Sequence, residues 1–443
     1  MSILLRGGTL LPLAEGTQAL RGDLLISGAR ITRIGTAPAQ LPTDTQVVDC
    51  TGCYVMPGLV QTHVHLVQTL FRGLAEDLPL LDWLRTFIWP LEAAHDGASL
   101  RASVRLGLLE LVTSGTTTIL DMGTTHHGDI VAEELVRSGI RARFGQAMMD
   151  AGEGVPPNLI ETTRASLDAA SGLVKRWKSA GAGRIGYAFA PRFALSCTRD
   201  LLEAVAMLAK MSDSLVHTHS NESVDEGTAV RTATGMSPIG YLVDVGIASD
   251  RAIIAHGVHI DDDELAHLRS TRAAITHCPS SNLKLGSGVA DVVRLRQARV
   301  TVGIGADGAA CNNSLDGFEE VRLATLLART LHGQSSLTAG DALLMATRDG
   351  ARALHIDEEV GSLTVDKRAD VIVIDGARLL GPGGDPCARI VFGGAGRAVR
   401  DVLIDGTFIV RDGVPVLFDA ADVRAKASEA LPAVARRAGL ASG

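Results

Sequence analysis

The middle of the chain alternates short apolar runs with stretches that have the composition of helices. Six of the apolar runs are typical of β-strands: Thr116–Asp121, Ile185–Ala190, Ser214–His219, Ala252–His256, Ala273–His277 and Thr301–Asp307. Many of them are separated by helical stretches such as Ser99–Thr113, Pro157–Lys178 and Thr198–Met211. Repeated strand–helix units form parallel sheets, and about 300 residues of them predict a (β/α)8 barrel. An open doubly wound sheet is the alternative, but no Gly-x-Gly-x-x-Gly follows the first strand of this region.

Both ends of the chain have a different sequence pattern, with short strands separated by glycine turns. The clearest strand patterns lie at residues 22–28 and 30–35 near one end, and at 368–376 and 402–413 near the other. Neither end has enough strands for a stable sheet on its own. We therefore expect the two ends to combine into one β-sandwich.

The predicted domain organisation follows from these two patterns, the strand–helix alternation in the middle and the short strands at the ends. A chain of 443 residues suits one large barrel with a smaller companion domain. We predict an α/β fold with the (β/α)8 TIM-type barrel at residues 58–361. The small β-sandwich combines residues 1–57 with residues 362–443, which include a closing helix from Ala420 to Ala441.

The composition excludes several classes of partner. Hydrophobic residues make up 46% of the chain, so a large core is expected and wholesale disorder is excluded. The net charge is −8 and there is no basic run, so neither nucleic acid nor an anionic membrane is an expected partner. No apolar segment reaches membrane-spanning length, and the first residues do not have the pattern of a signal peptide. The expected location is the cytoplasm.

A pair of histidines follows the apolar residues that begin at Val55. In a β-strand, residues i and i+2 point to the same face, so His63 and His65 would project together. Two adjacent imidazoles are suited to binding one metal cation. The alternative is two unrelated surface histidines, but an apolar strand that ends in this way favours a metal site.

Four other strand ends also carry residues that could bind a metal ion or take part in catalysis. His219 is followed three residues later by Glu222, and His256, His277 and Asp307 each end a strand. The strand before Asp307 has nothing to neutralise an acid, and a buried unpaired carboxylate is costly unless it binds a cation. Asp307 could instead cap a loop. The carboxyl ends of barrel strands meet at one mouth, which is where barrel enzymes have their active sites.

Together these motifs resemble the amidohydrolase superfamily, specifically its branch of aminohydrolases with one metal ion. The matching motifs are PGLVQTHVH at 57–65, HTHSNE at 217–222, AHG at 255–257, HCPSSNLKL at 277–285 and GADGAA at 305–310. The resemblance spans nearly the whole chain, including the divided β-sandwich. It is more specific for the mechanism than for the substrate.

The resemblance implies roles for individual residues. His63, His65, His219 and Asp307 would bind one divalent metal ion, with Zn²⁺ expected and Fe²⁺ possible. Glu222 would move protons, His256 would orient the attacking water, and Asp307 would also act as a base. His217 shares a face with His219, so either could be the ligand on geometry alone. The spacing to Glu222 favours His219, and His217 is then a hydrogen-bonded neighbour.

Two further short motifs bear on the substrate. Gln68 and the pair Arg192-Phe193 resemble guanine deaminases, in which such residues recognise the amide edge of the ring and stack on its face. Arg192 could instead form a structural salt bridge. Trp83 lies in an insert at residues 70–84 that resembles S-adenosylhomocysteine and adenosine deaminases and triazine hydrolases. We expect Trp83 either to line the pocket or to belong to the core.

These observations predict a metal-dependent hydrolytic deaminase that releases ammonia from an amino-substituted N-heterocycle. A guanine-like ring, either an oxopurine or a pterin, is the first choice because adenosine-type enzymes tend to have a histidine where Arg192 stands. An adenosine or S-adenosylhomocysteine deaminase and an s-triazine hydrolase are the alternatives. A non-catalytic scaffold is a more remote alternative. A small heterocyclic substrate is the expected partner, and the family resemblance implies a homo-oligomer.

Overall fold

A computed structural model describes residues 2–440, and a closed parallel barrel of eight strands is at its centre. The first to eighth barrel strands are Leu59–His65, Thr116–Asp121, Arg141–Phe144, Ile185–Pro191, Leu215–Ser220, Ala252–His256, Ala274–His277 and Val302–Ile304. Each strand pairs with the next in parallel, and Ile304 pairs with Gln61 to close the ring. The short strands Ala147–Met148 and Asp307–Gly308 extend the barrel at its carboxyl end. The predicted TIM-type barrel is confirmed.

Helices surround the barrel. The longer ones are Gly97–Thr113, Gly128–Ser138, Thr163–Trp177, Arg199–Met211, Val224–Thr234, Asp262–Thr271 and Gly317–His332. Shorter ones are Pro238–Asp244, Pro279–Lys284, Val292–Gln297, Ala339–Met345, Arg348–Ala353 and Pro386–Phe392. The prediction of a continuous helix from Pro157 was wrong: Pro157–Leu159 is a single 3-10 turn. The helix begins at Thr163 because the Thr162 side chain accepts the Ala165 N–H and caps it.

Strands from both ends of the chain form one sheet. Among residues 2–440 they are Ser2–Leu10, Leu20–Ser27, Arg30–Gly35, Thr45–Asp49, Cys53–Pro57, Val371–Asp375, Val399–Ile404, Thr407–Arg411 and Val414–Pro415. Cys53–Pro57 pairs antiparallel with Val371–Asp375, which joins the two ends. The prediction that the ends combine is confirmed. The expected sandwich takes the form of a single hydrogen-bonded sheet.

The two faces of this sheet have different partners because side chains alternate along a strand. Val55, Val371 and Val373 belong to an apolar core formed within the sheet itself. Met56 and Ile372, one residue further along, belong to the main core shared with the barrel. The sheet is therefore packed on both faces.

The closing helix is Ala420–Arg437, and it packs on Gly97–Thr113. Its predicted end at Ala441 lies outside the described residues, as do Met1 and the last residues of the predicted sandwich domain. No helix in residues 2–440 is both long enough and apolar enough to cross a membrane.

An insert covers the mouth of the barrel between the first strand and Gly97–Thr113. It contains the 3-10 helix Leu66–Phe71 and a run of helical turns at Leu80–Trp83, Leu84–Ile88 and Trp89–Ala93. Its apolar residues, among them Leu80, Trp83 and Trp89, form a small core with residues of the closing helix. The insert therefore forms a wall over the carboxyl ends of the strands.

Candidate active site and metal centre

Three histidines and an aspartate meet at the carboxyl end of the barrel. His63 and His65 come from the first strand, His219 from the fifth, and Asp307 directly follows the eighth. One potential ligand atom from each lies within 4.8 Å of the others. The His63 Nε2 atom is 3.1 Å from Asp307 Oδ1, and the Nε2 atoms of His65 and His219 are 3.1 Å apart. The four residues predicted as ligands are thus brought together.

A hydrogen bond on the far side of the His219 ring prepares this ligand for a cation. The Nδ1 atom of His219 is 2.6 Å from the Arg192 carbonyl oxygen, which can only accept. The proton therefore lies on Nδ1, and the lone pair of Nε2 points into the cluster. Burial, reinforced by the neighbouring His63, holds the pKa of both His65 and His219 well below the usual range. These neutral rings fit a divalent metal ion.

The carboxylate of Asp307 is held in place by its own neighbours. Burial would raise its pKa, but His63, His65 and His256 outweigh that effect and keep the pKa well below its usual range. Ser281 Oγ donates to Oδ2 at 2.7 Å, and the Gly308 N–H donates to Oδ1 at 2.8 Å. The backbone of Asp307 has φ 61°, a conformation that costs energy and is concentrated at functional sites.

Glu222 and His256 lie beside the cluster. The Glu222 Oε2 atom is 3.3 Å from His256 Nε2, which is 4.0 Å from Asp307 Oδ2. Burial, Asp307 and Glu226 raise the pKa of Glu222 well above its usual value, whereas burial lowers the pKa of His256 to about 4. Asn282 Oδ1 lies 3.0 Å from His256 Nδ1 and orients the ring. The surroundings therefore favour the protonated form of Glu222 and the neutral form of His256.

The two remaining histidines at strand ends lie outside the cluster. His217 contacts His63 rather than the ligand position, with 2.7 Å between His217 Nε2 and His63 Nδ1. His277 is buried, and neither of its ring nitrogens has a hydrogen-bond partner within residues 2–440. The geometry thus selects His219 over His217 for the cluster.

A cavity of about 430 Å³, including its open mouth, lies over the cluster. All four residues predicted to bind substrate line it: Gln68, Trp83, Arg192 and Phe193. Trp83 also belongs to the apolar core of the insert, so it both lines the cavity and contributes to a core. Leu80 and Leu84 add to the apolar wall. The mixture of apolar walls with a few polar groups is typical of a small-molecule site.

Arg192 has a partner that was not predicted. Both of its terminal nitrogens donate to the carboxylate of Glu92, with 3.1 Å between Nη2 and Oε1. Gln68 Nε2 also donates to Glu92 Oε1, at 2.9 Å. A carboxylate can only accept, so the amide of Gln68 must turn its oxygen away from Glu92. That oxygen has no partner within residues 2–440.

Sequence reasoning missed two acids at this site. Glu92 follows Trp89, Pro90 and Leu91, and an acid in so apolar a stretch signals a buried partner. Glu226 lines the cavity, accepts the Glu222 N–H at 2.7 Å, and has its pKa raised to about 7 by burial. Its spacing four residues after Glu222, on the following helix, was the available signal.

A comparison with protein-family models matches residues 54–409 to the amidohydrolase family. The chain belongs to the amidohydrolase family. The match covers the whole barrel and most of the strands from the C-terminal end, and the His₃Asp cluster lies inside it.

Two relatives of this amidohydrolase act on adenosine derivatives. It is 38% identical to the 5'-deoxyadenosine deaminase of Methanothermobacter thermautotrophicus, over 93% of this chain and 94% of that protein. It is 36% identical to a 5-methylthioadenosine/S-adenosylhomocysteine deaminase of Halobacterium salinarum, over 94% of this chain and 95% of that protein. This amidohydrolase is therefore a hydrolase of carbon–nitrogen bonds, and its reaction is hydrolytic deamination.

A solved structure agrees with this assignment. An adenosine deaminase from Xanthomonas campestris with bound zinc superimposes with a TM-score of 0.92 at 30% identity, covering 98% of each chain. The expectation of a deaminase is confirmed. The relatives favour the adenosine-type alternative over the guanine-like first choice.

Proposed function

We propose that this amidohydrolase removes the exocyclic amine of an adenine ring carried by a nucleoside, such as adenosine, 5'-deoxyadenosine or S-adenosylhomocysteine. The observation that carries the proposal is the Arg192–Glu92 pair. Arg192 and Gln68 both donate to Glu92, so the guanidinium expected to bind a guanine carbonyl is already paired with a buried carboxylate. A ring carbonyl would have to displace this pairing, whereas an adenine ring has no carbonyl to place there.

The four clustered residues would hold one divalent ion in this proposal. The ligand atoms would be Nε2 of His63, His65 and His219 together with Oδ1 of Asp307, a donor set that accepts Zn²⁺ or Fe²⁺. Such an ion, when bound, lowers the pKa of water towards neutrality and so supplies hydroxide at physiological pH.

The side chains around the cluster move the protons. Asp307 Oδ2, which faces His256, takes a proton from the attacking water. The protonated Glu222 donates its proton to a ring nitrogen as the oxygen adds to the amine-bearing carbon. The proton taken up at Asp307 then passes to the amine. Ammonia leaves as the added hydroxyl becomes the ring carbonyl, and the proton of that hydroxyl returns to Glu222. Water and the amino-heterocycle are thus converted to the oxo-heterocycle and ammonia.

A guanine-like oxopurine or pterin is the second candidate substrate. Arg192 and Phe193 do line the cavity, and Phe193 is suited to stacking on a ring. A ring carbonyl would have to compete with Glu92 for the guanidinium, which is a buried charge pair. We therefore rank this candidate below adenine nucleosides.

Ammonia release from a substrate panel tests the proposal. The panel contains adenosine, 5'-deoxyadenosine, S-adenosylhomocysteine, guanine, a pterin and melamine, assayed with protein loaded with Zn²⁺. We expect kcat/KM to be at least 100-fold higher for one of the adenine nucleosides than for guanine or the pterin. Higher kcat/KM for an oxo-ring would overturn the choice of substrate. Glu222→Gln is the control for chemistry at this site and should lower kcat by about 10² to 10⁴.

A further inference from the structure

His217 is a fully buried histidine that sits directly behind a residue of the metal cluster. Its Nε2 atom is 2.7 Å from Nδ1 of His63, and the two rings meet edge-on with centroids 4.8 Å apart. Neither ring is exposed to solvent. The other nitrogen of His217, Nδ1, has no hydrogen-bond partner within residues 2–440. The contact with His63 is thus the one polar interaction found for this side chain.

The chemistry of imidazole determines the direction of this hydrogen bond. The Nε2 atom of His63 faces Asp307 and the centre of the cluster, so it must keep its lone pair to bind a cation. A neutral ring with a free Nε2 carries its proton on Nδ1. His63 therefore donates from Nδ1, and His217 Nε2 accepts. His217 must in turn carry its own proton on Nδ1.

We propose that His217 is a positioning residue of the metal centre: it accepts the Nδ1 proton of His63 and thereby fixes the tautomer and the orientation of that ligand. The proposal rests on the metal centre of the proposed function. The competing interpretation is a histidine that merely fills the barrel core. A side chain that only fills space needs no ring nitrogen. Burying the Nδ1–H of His217 without a hydrogen bond would then cost roughly 1–3 kcal/mol of stability with nothing to compensate for it.

The neighbouring His219 supports this interpretation. Its Nδ1 is oriented by the Arg192 carbonyl at 2.6 Å, so a backbone acceptor does for His219 what His217 does for His63. Partners of this kind commonly change metal affinity by 10- to 100-fold when they are removed. His63 has no backbone acceptor at Nδ1 among the hydrogen bonds of residues 2–440. The side chain of His217 takes that place.

The test measures Zn²⁺ affinity, independently of activity, by competition with a chromophoric chelator. His217→Phe keeps a ring but removes the acceptor, and it should weaken Zn²⁺ binding by 10- to 100-fold. His217→Gln keeps an acceptor oxygen and should recover at least half of that loss on a logarithmic scale. The matched control is His277→Phe, which alters an equally buried histidine whose ring nitrogens have no hydrogen-bond partner within residues 2–440, and it should change affinity by less than threefold.

Each outcome distinguishes the inference from the proposed function. Equal affinities for His217→Phe and His277→Phe would overturn the role of His217. Failure of the wild-type protein to bind Zn²⁺ would instead overturn the proposed metal centre. If His217→Phe does not fold, ¹⁵N spectra of the wild-type histidines still decide the matter: His217 protonated on Nδ1 supports the proposal, and His217 protonated on Nε2 contradicts it.

Discussion

At the scale of single residues, the Arg192–Glu92 pair determines what the cavity offers to a ligand. Both side chains are almost fully buried, at 4% and 6% exposure, and lie in contact. A buried pair of this kind is weak evidence for stability, but breaking it leaves an uncompensated charge. The pattern around Arg192 suggested a residue that recognises a ring carbonyl. Its partner, 100 positions away in the chain, changes that interpretation.

A double-mutant cycle tests this pair. Arg192→Met should lower the free energy of unfolding by about 3–5 kcal/mol because it leaves the buried carboxylate of Glu92 without its ion-pair partner. Adding Glu92→Gln in the same chain should recover at least half of that loss, since the remaining partners are neutral. Denaturant unfolding of the two single variants and the double variant measures the coupling. Additive effects would contradict the assigned pairing.

Asp121 is a buried acid at the end of the second barrel strand. Its Oδ1 accepts the Leu66 N–H at 2.9 Å, directly after His65, whereas Oδ2 has no partner within residues 2–440. Burial raises its pKa from 3.8 to about 7. The native state therefore binds more protons at Asp121 than the unfolded state does between these two values. The stability that the neutral acid contributes is lost as the pH rises through about 7.

Asp121→Asn should remove that pH dependence, because the amide keeps the acceptor for Leu66 and has no charge. Relative to the wild type, the variant should gain about 2 kcal/mol of unfolding free energy between pH 5 and pH 8. Urea unfolding at the two pH values measures the difference. The exposed Asp168, with 74% side-chain exposure, provides the control: Asp168→Asn should show no such gain. A gain in the opposite direction would contradict the raised pKa.

At the scale of elements, the closing helix Ala420–Arg437 shapes the site although it contributes no residue to the cavity. Ala427 and Val434 belong to the small core of the insert, together with Leu80 and Trp83 of the cavity wall. Arg437 Nε also donates to the Ala94 carbonyl at 2.7 Å. A closing helix was predicted here from the sequence, but only the packing reveals that it supports the substrate wall.

Removing two buried methyl groups tests that support. Val434→Ala should lower the unfolding free energy by about 2 kcal/mol, since Val434 is fully buried. It should also raise KM severalfold by loosening the wall. The matched control is Val414→Ala, where the side chain is 64% exposed and the expected change is below about 0.5 kcal/mol. Similar effects of the two substitutions would contradict a role of the closing helix in the wall.

At the scale of the whole molecule, a buried ion-pair cluster joins the terminal sheet to the barrel. Arg141 of the third barrel strand donates to Asp370 at 2.8 and 3.0 Å and to Asp405 at 2.8 Å. Both acids flank strands of the terminal sheet. The sheet also shares the main apolar core with the barrel. We therefore expect the two parts to unfold together, whichever residues mark their boundary.

Calorimetry tests this cooperativity. The wild type, with its metal content held constant, should show one transition whose calorimetric and van't Hoff enthalpies agree. Arg141→Met should lower the melting temperature of that single transition, because it leaves the buried Asp370 without its cation, whereas Asp405 keeps Arg368 and Arg184. Two separate transitions in the wild type would show that the sheet and the barrel are independent.

The sequence by itself determined the barrel, the joining of the chain ends and the set of residues around the candidate metal. Periodicity specifies strands and helices locally, and the carboxyl ends of parallel strands meet without further information, so the polar residues at the strand ends could be placed together. The resemblance to the amidohydrolase superfamily then implied His63, His65, His219 and Asp307 as the ligands, and the structure brings these four together. Only the tertiary structure decided what the remaining polar groups do. Whether Arg192 recognises a ligand or pairs with Glu92, and which face of His63 is held by His217, depends on hydrogen-bond partners that are distant in the chain. A hydrogen bond depends on the direction of its donor and acceptor, and on whether each group already has a partner. The spacing of residues in the sequence specifies neither.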